Sequence, residues 1–157
     1  MLMKEYLLDT FQFNDKVNKS LLVKIDLLSD KSECIKLFSH LINSQYKWMA
    51  RIIQNPDAQE MSWWEPIYEF KELEEKWNDS LKRWTEYLSS ETEEALFAEV
   101  TFKGFDGGRW AATPKDIALQ LNYHSIHHRA QMQTIIRRLG LEPDFVDYIG
   151  TKYKKLS

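Results

Sequence analysis

A chain of 157 residues is long enough to bury a sizeable core, and residues 1–157 are expected to form a single domain. Its 21 basic and 24 acidic side chains give a net charge of −3 with no concentrated basic face, which argues against a nucleic-acid partner. The single cysteine excludes an intrachain disulfide, no uncharged stretch approaches bilayer length, and the N-terminus lacks the pattern of a signal peptide, so a soluble cytoplasmic protein without a membrane partner is expected.

Glycine and proline are scarce and aromatic residues plentiful, which favours long helices over turn-rich sheets. The first predicted helix covers about Lys4 to Leu28. Its inward stripe is Leu7, Phe11, Asn14, Asn18, Leu21, Ile25 and Leu28, in steps of three and four. The second begins after Ser29-Asp30, where Asp30 and Glu33 resemble a capping box, and runs to about Gln54. Leu37, Leu41, Ser44, Trp48 and Ile52 face inward on it, and Cys34 reads as a small buried apolar residue. The third starts near Pro66 and ends around Ser89, with Phe70, Leu73, Trp77, Leu81, Trp84 and Leu88 on one side. Glu72, Glu74 and Glu75 there read as a solvated face. The fourth begins at Thr113-Pro114, an N-cap followed by proline at the first helical position, and ends at Gly140 after Arg137-Arg138.

Two connections are long. Asn55 to Glu65, fully extended, reaches roughly 36–40 Å, about the length of a long helix. It either runs back along the bundle, making the second and third helices parallel, or folds into a compact turn. Between about Ser90 and Ala112, the partial alternation of residues 97–102 and the turn chemistry of Asp106-Gly107-Gly108 predict a short β-hairpin that must lean on the helices.

The last helix carries the most informative pattern. Its apolar stripe runs Ile117, Leu121, His124, His128, Met132, Ile135, Leu139. Two imidazoles one turn apart on a buried seam need partners, and a shared metal ion supplies one to both. The bare spacing is a weak signal, and the seam strengthens it. A third ligand should come from a facing helix, and His40, three residues after Leu37, is the candidate. Its other reading is a rim histidine bonded to a backbone carbonyl. His127 points about 100° away from His128. It is either a proton shuttle near a metal-bound water or a surface histidine. Asn14 and Gln131 are candidates to orient metal-bound imidazoles through their side-chain oxygens, or else make bundle hydrogen bonds with no metal role. Trp63 and Trp64 cover a pocket mouth, pack on the bundle end or form a dimer contact. No nucleophile elbow, glycine-rich phosphate loop or CxxC is present.

The run His124-Ser125-Ile126-His127-His128-Arg129-Ala130-Gln131 resembles the HxxHHRGQ signature of the DinB family, the DinB/YfiT-like proteins read as metalloenzymes. His40-Leu41 followed by Trp48 and Arg51 is similar to the family's second-helix histidine segment, and Phe13-Asn14 through Asn18 to its loose first-helix pattern. Ala130 departs from the usual glycine. The resemblance implies an all-α four-helix bundle of up-down-down-up connectivity, often dimeric. It also implies a divalent metal, zinc or nickel, held by three histidines that carry over to His40, His124 and His128. Some relatives are thiol-dependent transferases or isomerases, and the family name refers to induction by DNA damage.

These residues lead to two functional expectations. The first is a metal-dependent enzyme acting in transfer of, or to, a small thiol, with metal-assisted hydrolysis as its second form. The second is a non-catalytic stress protein whose metal is structural and whose aromatic surface binds a partner. A fourth protein ligand on the metal would favour the second.

Overall fold

The computed structural model describes residues 1–156. Four long helices carry the fold: α1 (Met3–Asp26), α2 (Ser32–Ile52), α3 (Phe70–Ser90) and α5 (Pro114–Arg138). A one-turn helix, α4 (Glu93–Phe97), and a hairpin of β1 (Val100–Lys103) and β2 (Arg109–Ala112) fill the connection before α5. Among the described residues, no helix is long and apolar enough to cross a membrane.

Each long helix packs against two others: α1 and α2 both contact α3 and α5. Cross-helix hydrogen bonds give the directions. Ser39 meets Tyr68 and Gln45 meets Ser80, so α2 and α3 run parallel. Thr10 meets Asn122 and Asn14 meets Arg129, so α1 and α5 run parallel. Lys4 meets Ser89 while Asp15 meets Trp77, so α1 and α3 are antiparallel. The bundle is therefore up-down-down-up, and of the two linker paths expected the chain takes the one along the bundle.

That path is held by α2 itself. Lys47 donates from Nζ to the carbonyls of Gln59 and Met61, Asn43 donates to Pro66, and the Tyr68 amide donates to Ser39. These contacts keep residues 66–69 extended, so α3 starts at Phe70 rather than near Pro66. Glu69 and Glu72 then form its capping box. The start of α2 also differs from expectation. Asp30 caps from outside, its carboxylate accepting from the amide and hydroxyl of Ser32, and the Asp30–Glu33 box does not form. Phe97, the first residue of the alternating stretch, belongs instead to α4, which Thr92 starts by capping the Ala95 amide, and β1 begins only at Val100.

The hairpin closes where expected. Gly107 takes φ +78°, open to glycine at low cost, and Phe102 pairs with Trp110. It leans on α2 through Arg51, which donates to the Lys103 carbonyl, and Gln54, which donates to Thr101. The end of α5 is equally legible: Gly140 has φ +89° and the Leu141 amide returns to the Ile136 carbonyl. Leu139, assigned to the buried stripe, is 39 % exposed, because the helix ends there and Ile136 fills the core instead.

The interior falls into two apolar halves. One gathers Leu21, Ile25, Phe38, Trp77, Met132 and Ile136. The other gathers Leu7, Phe11, Trp84, Leu88, Leu96 and Leu121. Between them lies a polar layer of Asn14, Asn18, Ser44, Gln45, Ser80, Ser125 and Arg129, all buried. Such groups persist in a core only when hydrogen-bonded. Ser80 donates to Gln45, Trp84 donates from its indole to the Gln45 carbonyl, and Asn18 donates to Ser125. Cys34 sits fully buried in the first half, and burial pushes its thiol up to about 11.

Candidate metal centre

His40 comes from the middle of α2, and His124 and His128 from successive turns of α5. The antiparallel packing of these two helices brings the three rings together. His124 Nε2 lies 2.9 Å from His40 Nε2 and 2.9 Å from His128 Nε2. One ligand atom from each ring falls within 4.8 Å of the other two, and among the described residues no other His, Cys, Asp or Glu joins them.

The outer nitrogens fix what the inner ones are. His40 Nδ1 faces the Trp63 carbonyl at 2.6 Å, and a carbonyl only accepts, so Nδ1 carries the proton. His128 Nδ1 faces Gln131 Oε1 at 2.7 Å and donates to it in the same way. The Nε2 atoms of neutral His40 and His128 are then bare lone pairs, both aimed at His124 Nε2. That atom has at most one proton to offer two acceptors. Three converging nitrogen lone pairs are electrostatically unfavourable without an electrophile among them. Nitrogens about 2.0–2.1 Å from one tetrahedral zinc-like ion would lie roughly 3.3 Å apart, and the two spacings to His124 Nε2, 2.9 Å each, are close to that. The donor set fits a divalent ion that accepts imidazole, and zinc, nickel, copper and iron all do.

The surroundings keep the rings neutral and available. Burial holds His40 and His128 below the ordinary histidine range. Burial, reinforced by His128 and His40, pushes His124 down to about 4. Trp64 lies flat on His40, with ring centroids 3.7 Å apart and planes 7° apart. A cavity of about 150 Å³ opens beside His40 and His124, walled by Ser44, Trp48, Trp63 and Leu121. Ser44 donates to the His40 carbonyl one turn back.

The residues singled out in the sequence divide clearly. His40, His124 and His128 come together, and Gln131 reaches His128. His40 places one nitrogen on a backbone carbonyl and the other in the cluster. His127 is exposed on the next face, its ring centroid 4.9 Å from that of His128. Asn14, expected to orient an imidazole, does not reach one. Its Oδ1 accepts from Arg129 at 2.8 Å, beside Asn18 Oδ1 at 2.9 Å, because α1 faces the side of α5 that carries Arg129 and Ser125. The contribution the sequence did not reveal is the backbone carbonyl of Trp63. A carbonyl has no residue-type signature, and only the unusual Trp63-Trp64 pair marks its place.

A family model described as DinB superfamily matches residues 28–132, a span that includes all three histidines, Gln131 and the tryptophan linker. No curated protein and no solved structure matches the chain.

Proposed function

The chain belongs to the DinB superfamily, and on that premise we propose that it is a metal-dependent enzyme acting in transfer of, or to, a small thiol, with His40, His124 and His128 holding a divalent ion, zinc or nickel. The observation that carries this reading is the convergence of three Nε2 atoms, two of them held as bare acceptors by Trp63 and Gln131. A divalent ion held by His40, His124 and His128 would supply Lewis acidity and lower the pKa of a water or thiol bound to it.

The protein's own groups supply the rest. Trp63 and Gln131 orient two of the rings, and Trp64 shields His40 from water. The cavity beside His40 and His124 is the entry for a small molecule. A three-histidine set with space beside it is the pattern of a site that keeps a position for substrate, whereas a structural site closes with a fourth protein ligand. His127, at the edge of the cluster, is the candidate to carry a proton between the site and solvent.

The test compares untagged wild type with His124→Ala by elemental analysis and by turnover of a panel of small thiols with electrophiles. Wild type is expected to hold stoichiometric metal and turn over at least one pair, while His124→Ala loses both and keeps its helical circular dichroism. Metal-free wild type, or turnover no faster than the chelated control, overturns the reading.

A further inference from the structure

The face of α2 that carries His40 continues to Arg51. His40, Ser44, Trp48 and Arg51 are spaced by four, four and three, so they share one side of the helix, and eleven residues span about 16 Å along its axis. A second cavity, of about 290 Å³, lies at the Arg51 end against Phe102, Phe105 and Trp110. Trp48 and Trp63 wall both this cavity and the one beside the imidazoles, so the two spaces are neighbours on either side of that pair of indoles.

Arg51 is 8 % exposed and has no carboxylate partner among the described residues. Its guanidinium carbon stands 4.7 Å from the Trp48 ring, 5.0 Å from Trp63 and 4.7 Å from Phe102. Three aromatic rings thus surround the guanidinium. Nη2 donates to the Lys103 carbonyl. Among the described residues, the only fully enclosed side-chain nitrogen or oxygen lacking a partner is Asn122 Oδ1, so the Arg51 nitrogens without a protein acceptor are not fully enclosed, and Arg51 lines the second cavity. Lys47, one turn away, is also buried and also lacks a carboxylate. No aspartate or glutamate lines either cavity. A guanidinium without a carboxylate partner, packed among three rings and with nitrogens still lacking a protein acceptor, suits an oxyanion.

We propose that this cleft takes an elongated substrate whose reacting end meets the imidazole cluster, whose apolar middle lies across Trp48 and Trp63, and whose far end is an oxyanion bound by Arg51. This rests on the metal-site reading for the reacting end only; the anion end stands on Arg51 alone. A substrate too short to span the two ends gains nothing from Arg51.

Calorimetric titration tests it with three probes of equal length, mercaptoundecanoate, its uncharged amide and the matching phosphonate, and with mercaptopropanoate as the short control. The proteins are wild type, Arg51→Gln and His124→Ala, with melting curves confirming that each is folded and metal content measured alongside. In wild type the long acid binds at least tenfold more tightly than the amide, and in Arg51→Gln that preference vanishes. The ratio of phosphonate to carboxylate affinity identifies which oxyanion the site prefers. In His124→Ala both acid and amide weaken but their ratio persists, because the thiol end is lost and the anion end is kept. Equal affinity for acid and amide in wild type, or a preference that survives Arg51→Gln, overturns the proposal. Should Arg51→Gln not fold, Arg51→Lys, which keeps the charge and loses the planar fork, must weaken the long acid alone. Loss of the metal reading shows separately, as wild type without metal and an amide affinity unchanged by His124→Ala.

Discussion

Gln131 Oε1 accepts from His128 Nδ1 at 2.7 Å, one turn along the same helix. The bond fixes the ring's tautomer and turns Nε2 toward the other two imidazoles. Removing such a support typically costs 10–100-fold in metal affinity. Gln131→Ala is expected to fall in that range in a chelator competition titration while the melting temperature of the metal-free protein stays close to wild type. Undiminished affinity would show that the ring is oriented by packing alone.

The imidazole cluster makes the metal-free protein sensitive to mild acid. His124 is pushed from its ordinary 6.5 to about 4, first by burial and then by its histidine neighbours. Unfolded chains therefore take up a proton as pH falls through 6.5, and the folded chain does so only near 4. The unfolded state binds more protons across that window, so stability declines as pH drops from 6.5 toward 4. Melting curves of chelated protein should show this decline, and His124→Ala should flatten it. Protons and metal compete for the same lone pairs, and folded His124 takes its proton only near 4, so the loaded protein should hold its ion through most of this descent and release it near its lower end. A melting temperature constant across the window would contradict the neutral state assigned to these rings.

Arg129 holds the polar layer between the two apolar halves. It is 3 % exposed and donates to Asn14 and Asn18 across the α1–α5 seam. Arg129→Met leaves two buried carbonyl oxygens without that donor, and an unsatisfied buried group costs about 1–3 kcal/mol. For two such oxygens, chemical denaturation is expected to show a loss of about 2–6 kcal/mol, with metal stoichiometry unchanged. Asn14→Ala should lose less, again without affecting the metal. A drop in metal affinity in Asn14→Ala would restore the role expected for Asn14 from the sequence.

The parts of this arrangement that were legible in the sequence are those written in side-chain periodicity. His124 and His128 stand out because Ile117, Leu121 and Met132 mark their face as inward, and His40 because it lies on a helix that faces them. The caps at Thr113 and Gly140 and the Asp106-Gly107-Gly108 turn are local chemistry, and they fall where read. Asn14 was misplaced for a specific reason. A stripe shows that a residue points inward but not which neighbour it meets, and α1 meets α5 on its arginine side. The start of α3 was set too early because hydrogen bonds from Asn43 and Ser39 hold residues 66–69 extended, and these depend on the packed neighbour. A carbonyl partner for His40 was one of the readings, but a backbone oxygen has no residue type, so nothing beyond the neighbouring Trp63-Trp64 pair pointed to Trp63.

The parallel pairing of α2 and α3 has a consequence for how the site is roofed. Two adjacent rods pointing the same way cannot be joined by a tight turn, so the backbone must climb back before the next rod begins. That detour is the material laid over His40: the same return journey that satisfies connectivity delivers a carbonyl to one ring nitrogen and an indole to the ring's face. Rewiring the chain with a minimal turn would keep the imidazoles on their helices and leave them open to the sky.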